Sequence, residues 1–342
     1  MIVDYRSDTL TKPTEGMLKA MMKADTGDDV FGEDPTVNKL EEMAAKLFGM
    51  EAALYCPTGT QSNQIAIKVH TVPGDEVICE ESSHVYQYEG GGIAFNSGAQ
   101  VKLLKGNRGQ ITARQVLESI NPDDPHKPVS KLVSLENTCN RGGGSCYQFS
   151  AIEEIRKVCD ENNLLLHLDG ARLFNALVAT GPDFNRDAKQ FGETFHSISV
   201  CLNKGLGCPI GSILLGKKAF IQKGRRIRKV FGGGMRQAGY MAACGIYALE
   251  NHIDRLAEDH HLAKKIASVL EEKQFVDSIL PVETNIIIFN VKPYLKADEL
   301  VGKLKKEGIL AIAMSPTQIR FVTHLDIKPE MAEYTLKTLK NI

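Results

Sequence analysis

The sequence predicts an α/β protein: a mostly parallel sheet covered by helices on both faces, followed by a smaller α+β unit. Three observations carry this. Short apolar, β-branched runs alternate with helical patterns from about residue 52 to residue 202. A long helical stretch from about Met235 to Lys273 follows, and beyond it the elements shorten. The length of 342 residues suits one large unit joined to a smaller one.

From Met1 to about Leu40 the chain is irregular, with turn signals at Lys12-Pro13, Gly27-Asp28-Asp29 and Gly32-Glu33-Asp34-Pro35. A helix is predicted from about Pro35 to Phe48, where Val37, Leu40, Ala44 and Leu47 share one face. Ala52–Cys56 then reads as a strand, Pro57–Thr60 as a tight turn and Gln61–Val69 as a helix. That order leaves free N–H groups at a helix start, which suits a phosphate, although many α/β units begin this way. Further strands are predicted at Glu76–Cys79, Gln100–Leu104, Leu132–Leu135, Leu164–Leu168 and Ile198–Leu202, with a helix over Ala151–Glu161. In such sheets ligands lie beyond the carboxyl ends of the strands. The residues that matter most are therefore Thr58–Thr60, Ser83-His84, Asn137–Asn140, Asp169–Arg172 and Asn203-Lys204. After the long helical stretch, Asn285–Val291, Ile309–Met314 and Ile319–Thr323 read as strands and Ala297–Glu307 as a helix, with a last helix to Ile342. The expected division is 1–247, including the N-terminal segment, and 248–342.

Composition narrows the function. The chain is 43% hydrophobic and 24% charged, as soluble globular proteins are. A net charge of −1 and a pI near 6.8 give no global field for nucleic acid or membrane. Met1–Leu10 carries Asp4, Arg6 and Asp8, unlike a signal peptide, and no apolar run reaches the roughly 18 residues of a spanning helix. A cytoplasmic protein is expected. The eight cysteines form no CxxC pair, and several sit in apolar runs where a thiol packs as a small hydrophobe. Neither a disulfide framework nor a zinc site is indicated, and His260-His261, on a polar helix face, lacks ligand spacing, so no metal is expected. Seven Lys or Arg crowd Lys217–Lys229, with Phe220 alone among aromatics. This reads as a solvated helix face, not a nucleic-acid surface.

The chemistry centres on Lys204. A buried strand delivers it into a turn holding Gly205, Gly207 and Gly211. Desolvation lowers the pKa of an ammonium, and a neutral lysine amine forms Schiff bases with carbonyls. Taken alone, a strand-end lysine reaching for solvent is the better reading. Asp169 ends another buried strand, with Arg172 three residues on. A buried carboxylate needs a cation or strong donor, and either Arg172 or a ligand's ring nitrogen answers that need. Asp169 and Lys204 are separated by about one helix and one strand, so both fit one sheet edge. A Schiff-base lysine, a carboxylate for a pyridinium nitrogen and a small-residue turn for a phosphate together describe a pyridoxal 5'-phosphate site.

Sequence blocks add a family. YRSDTLTKPT, GDDVFGEDPTVNKLE, TGTQSNQ, SSHVYQYEGGG, LENTCNR, LHLDGARLFNA, LNKGLG, RRIRKVFGGGMRQAG and RFVTHLD occur in this order across nearly the whole chain. The sequence thereby resembles the low-specificity L-threonine aldolases, within the pyridoxal-phosphate-dependent β-eliminating lyase group. The resemblance implies the fold-type I, aspartate aminotransferase-like architecture and a homotetramer whose subunits share active sites. It implies cleavage of L-threonine or L-allo-threonine to glycine and acetaldehyde, with phenylserine cleavage, β-elimination or non-catalytic cofactor binding as alternatives. By the same resemblance Lys204 would bind the cofactor aldehyde, Asp169 the ring nitrogen and Arg172 the phenolic oxygen. Thr58, Gly59 and Thr60 would hold the phosphate, with Lys229 and Arg236 reaching it from a neighbouring subunit. His84 would stack on the ring near the substrate's β-hydroxyl, while Ser7 and Arg320 would hold the substrate carboxylate. A planar bidentate donor such as Arg320 suits that group. Two positions depart from the family. Cys139 stands where ENTHN has a substrate-contacting histidine, and a thiol is a weak donor, so the threo or allo preference stays open. Phe31 stands where many members have tyrosine.

Overall fold

The computed structural model describes residues 1–181 and 183–342. In chain order its first strands are β1 (Val3–Asp4), β2 (Ala52–Cys56), β3 (Asp75–Glu80), β4 (Gln100–Leu104) and β5 (Val129–Glu136). Next come β6 (Leu165–Gly170), β7 (Ser197–Cys201) and β8 (Ser212–Gly216). The last are β9 (Val276–Ile279), β10 (Ile286–Val291), β11 (Ile309–Leu310), β12 (Ile312–Ala313) and β13 (Gln318–Val322). Seven of them form the central sheet, ordered β2-β8-β7-β6-β5-β3-β4. β8 runs antiparallel to both neighbours, and every other pairing in this sheet is parallel. β12-β13-β10-β9 form a separate antiparallel sheet, and β1 pairs in parallel with β11.

Alternate side chains of β8 show why the sheet is covered twice. Ile213 and Leu215 join Ile198 and Val200 in a core with helices Pro35–Phe48, Phe149–Glu161 and Leu173–Thr180. Leu214 faces the other way, packing with Leu54 against Ile65 and Ala66 of helix Gly59–His70 and Ile221 of helix Lys218–Val230. Local signals set the helix ends. Asp34 accepts from the N–H groups of Thr36 and Val37, Pro35 opens the helix, and Gly49 closes it in the left-handed region.

The structure adds one strand and divides two expected elements. The run after Lys204 folds back as β8, because Cys201 pairs with Ser212 across a loop closed by Leu202 N–H to the Gly211 carbonyl at 2.9 Å. Gly211 adopts φ 117°, and a Cβ there would lie 2.7 Å from the Tyr55 ring. The helical stretch from 235 to 273 is two helices, Gly239–Asn251 and Leu256–Glu271. Ala242 and Cys244 on the first belong to the main core, whereas Ala263, Ile266 and Leu270 on the second belong to the core of the small sheet. The break between them redirects that apolar face, and His252 at the break is hydrogen-bonded to the Leu206 carbonyl in the Lys204 loop. Ile309–Met314 is likewise two strands in different sheets, β11 and β12. Packing also crosses position 247 in both directions. Val3 and Tyr5 join the small sheet's core, while Ala248, Leu249 and Leu256 stay with the large one.

Two smaller readings also change. His260 is buried, not on a polar face, and its ring meets the Asn175 amide at 3.1 Å. The basic run is only partly solvated: Arg228 is buried against Asp29 at 2.7 Å, and Arg225 pairs with Glu41. Among the described residues, no helix is long and apolar enough to cross a membrane.

Candidate active site

Beyond the carboxyl ends of the central strands lies a cavity of about 170 Å³, lined by Thr58, Gly59, Thr60, His84, Asp169 and Lys204 among others. Wider surface grooves of about 580 and 630 Å³ lie elsewhere, and neither gathers a lysine with a buried carboxylate and an imidazole. The small cavity is where the chemistry concentrates.

One end of the cavity is the start of helix Gly59–His70. Thr58 caps it, its Oγ1 accepting from Gln61 N–H at 3.1 Å while its carbonyl accepts from Ser62 N–H. The N–H groups of Gly59 and Thr60 have no such partner among the described residues, and they sit at the positive end of the helix dipole. Such a helix start suits an anion. A Cβ at Gly59 would come within 2.6 Å of Cys201 Sγ, so the close approach of helix and β7 requires glycine.

At the opposite end Asp169 is buried, yet only neutral groups reach it: Asn63 Nδ2 at 3.0 Å and Ala171 N–H at 3.1 Å. Arg172 does not supply its charge. That guanidinium is buried and forked onto Asp8, Nε to Oδ2 at 2.8 Å and Nη2 to Oδ1 at 2.7 Å. Burial alone would raise the Asp8 pKa, but Arg172, with Lys204 nearby, holds it down at about 2. Asp169 thus remains the carboxylate free to answer a cationic ring nitrogen.

His84 begins a short helical turn after β3, and its ring is hydrogen-bonded through Nδ1 to Glu89 Oε1 at 3.0 Å. A carboxylate only accepts, so Nδ1 carries the proton and Nε2 keeps its lone pair. Glu89 is fully buried and also receives Asn63 Nδ2 at 2.9 Å and Gln64 Nε2 at 2.6 Å. Burial opposes charging of His84, but the bond to Glu89 and the Asp169 carboxylate outweigh it and raise its pKa. The ligand atoms of His84, Glu89 and Asp169 lie within 4.8 Å of one another, with the Asn63 amide linking the two carboxylates. Behind them Glu136 accepts His84 N–H at 2.7 Å and Asn140 N–H at 2.9 Å. Burial and then the Asp169 charge lift the Glu136 pKa to about 6.

Arg320, on β13, brings the small sheet to this site. Its Nη1 donates to Asn140 Oδ1 at 2.9 Å and Nη2 to the Arg6 carbonyl at 3.1 Å, while Nε is buried without a partner. Burial and the neighbouring Arg172 lower its pKa to about 10. An incoming carboxylate would satisfy that orphaned donor. Ser7 caps the turn Asp8–Leu10, its Oγ accepting from Thr9 N–H at 3.2 Å beside the Arg6 carbonyl that holds Arg320.

Three expected residues are not brought together with these. Cys139 is buried, its thiol donating to the Glu136 carbonyl at 3.0 Å, and it does not line the cavity. Lys229 lines a separate pocket beside Phe31, and Arg236 is exposed and paired with Asp28 at 2.8 Å. Conversely, Asp8, Asn63, Glu89 and Glu136 were not singled out from the sequence, although Asp8 directly follows Ser7 in the YRSDT block and Asn63 lies in TGTQSNQ.

Fold and site together define a pyridoxal-phosphate type of lysine enzyme: Lys204 shares its cavity with a helix start bearing free N–H groups and with a buried carboxylate that, among the described residues, has no protein cation bonded to it. Comparison with known proteins gives the family. Residues 4–293 match the beta-eliminating lyase family model. The chain is 42% identical over 330 residues to the low specificity L-threonine aldolase of Escherichia coli K12, covering 96% of each chain. It is 39% identical over 347 residues to the probable low-specificity L-threonine aldolase 2 of Arabidopsis thaliana, covering 99% of this chain and 97% of the relative. A solved threonine aldolase from Leishmania major shares the fold, with TM-score 0.85 at 21% identity over 99% of this chain and 98% of the other. The chain belongs to the low-specificity L-threonine aldolase family, within the beta-eliminating lyases.

Proposed function

We propose that the protein is a pyridoxal 5'-phosphate-dependent carbon–carbon lyase that cleaves L-threonine or L-allo-threonine to glycine and acetaldehyde. The observation that carries this reading is the convergence of Lys204, Asp169 and the Gly59–Thr60 N–H groups on one cavity. The family supports it. When bound, pyridoxal phosphate supplies an electron sink for the pair released as the Cα–Cβ bond breaks.

The chain's own residues divide the work. Lys204 would hold the cofactor through its aldehyde. Asp169, with no protein cation bonded to it among the described residues, would favour a protonated ring nitrogen. Thr58, Gly59 and Thr60 receive the phosphate. Arg320 takes the α-carboxylate through its free Nε, with Ser7 beside it, and so turns Cα–Cβ toward the breaking geometry. His84, with Nδ1 tied to Glu89, takes the β-hydroxyl proton at Nε2. Arg172 is fixed by Asp8, and the N–H bonds left after that fork would be available to the cofactor's phenolic oxygen.

Lys229 and Arg236 are assigned to the phosphate of a neighbouring subunit, and the assembly to a homotetramer; that neither residue lines this chain's own cavity supports sharing. Cys139 is assigned a place near the substrate hydroxyl only through its backbone, given its inward thiol. The units 1–247 and 248–342 are proposed as cofactor-binding and substrate-clamping parts. The cytoplasm suits eight buried, free thiols.

The test is product release from separate samples of L-threonine and L-allo-threonine, with wild type and Lys204→Ala. Equimolar glycine and acetaldehyde from the wild type, lost in the variant, is the expected result. Pyruvate and ammonia in their place would move the enzyme to β-elimination, and steady turnover by Lys204→Ala would overturn the assignment.

A further inference from the structure

Arg141 is a half-buried charged residue that the proposed reaction leaves unused. It sits on a turn closed by the N–H groups of Gly142 and Gly144 onto the Cys139 carbonyl, at 3.1 and 2.9 Å. It directly follows Asn140, which receives Arg320. Its guanidinium lies 5.2 Å from the centroid of the Tyr88 ring and donates through Nε to the Tyr88 hydroxyl at 2.6 Å. The Tyr88 and His84 ring centroids are 5.7 Å apart. Arg141 and Tyr88 thus bridge the segment bearing the imidazole and the segment whose Asn140 receives Arg320.

Charge here is unbalanced. Arg172 is neutralised by Asp8 and Arg6 by Asp4. Among the described residues, neither Arg320 nor Arg141 has a carboxylate partner, and Arg141 is close enough to help depress the Arg320 pKa. An α-carboxylate answers Arg320. Arg141 is left with a neutral phenol, a weaker partner for a guanidinium than a bidentate carboxylate.

We infer that Arg141 and Tyr88 form a subsite for an acidic β-substituent, so that the enzyme also cleaves β-hydroxy-α-amino acids whose β-carbon bears a carboxylate. The smallest such substrate is 3-hydroxyaspartate. The inference rests on the carbon–carbon cleavage proposed above, and the reaction is redox-neutral. The β-hydroxyl gives up its proton, the Cα–Cβ pair passes to Cα, and Cα takes up one proton to become glycine. Cβ, with its carboxylate, leaves as the aldehyde carbon of glyoxylate.

The holoenzyme, Arg141→Leu and Arg141→Lys are assayed with L-allo-threonine and with each L-configured 3-hydroxyaspartate diastereomer, measuring acetaldehyde and glyoxylate. Wild type is expected to release glyoxylate and glycine in equal amounts. The ratio of kcat/KM for the acidic substrate to that for L-allo-threonine falls about tenfold or more in Arg141→Leu and less in Arg141→Lys. Acetaldehyde without glyoxylate from the wild type overturns the acidic subsite alone, as does a ratio unchanged in Arg141→Leu. Release of neither aldehyde overturns the underlying cleavage reading instead.

Discussion

Among the described residues Glu89 has no cationic partner except His84, and it also accepts from the Asn63 and Gln64 amides. Its charge favours the imidazolium, and only neutral His84 can accept a proton, so kcat/KM falls as pH drops through the His84 pKa. Glu89→Gln removes the charge that raises this pKa. The acid limb of the pH profile is expected to move to lower pH, and the plateau to fall by about tenfold to hundredfold as the imidazole loses its fixed orientation. A limb that stays in place, measured from pH 5 to 9, would remove Glu89 from this role. Asp8 makes a different kind of prediction. It neutralises Arg172 from the N-terminal segment and accepts Asn285 Nδ2 at 3.2 Å from the segment leading into β10. Asp8→Ala strands a buried guanidinium and is expected to cost about 3–5 kcal/mol in urea unfolding at pH 7. Because its folded pKa of about 2 lies below the unfolded value, that stability is complete above about pH 4 and is lost as pH falls through 2. The difference between wild type and Asp8→Ala therefore shrinks on acidification.

At the level of elements, the junction of helix Gly59–His70 with β7 is the tightest constraint on the phosphate site. Gly59→Ala drives a methyl into Cys201 Sγ and shifts the first N–H groups of the helix. Cofactor affinity, titrated by absorbance on the cofactor-free protein, is expected to fall at least about tenfold, or ~1.4 kcal/mol. Adding Cys201→Ala removes the clashing atom, and the double variant should recover most of the loss; additive losses would show that the contact is not the cause. This junction also shows what the sequence could reveal. Strands β2 to β7 were legible because each is a short apolar run bounded by turn residues. β8 was hidden because its run Ile213–Leu215 follows the glycine-rich loop, and only pairing with β7 and β2 makes it a strand. β1 and β11, two residues each, exist only through one another. The site divides in the same way. Lys204, Asp169, His84 and Thr58–Thr60 follow strand ends, a local signal. Asp8, Asn63 and Glu89 act through contacts between distant segments, which leave no local pattern.

The whole molecule must bring two sheets and, on the proposed assembly, two chains to each site. Arg320 joins the small sheet to the clamp through Asn140 and the Arg6 carbonyl. Helix Lys218–Val230 is anchored from within by Arg228 on Asp29 and the Tyr55 carbonyl, at 2.7 and 2.6 Å, which leaves Lys229 facing out. Phe31, 72% exposed, and Val230, 77% exposed, flank it, an apolar surround suited to burial against another subunit. If Lys229 serves the neighbour's phosphate, Lys204→Ala and Lys229→Ala damage different sites of the same assembly. Each variant alone is expected to cleave threonine poorly: the first lacks the lysine in every site, and the second weakens every phosphate site. Mixed and refolded together, some assemblies pair a site that keeps its own Lys204 with a Lys229 donated by the Lys204→Ala chain. Activity measured at limiting cofactor should therefore rise severalfold above the mean of the two parents. If the mixture only averages its parents, although mixed oligomers are confirmed by mass, Lys229 acts within its own chain and the shared-site arrangement fails.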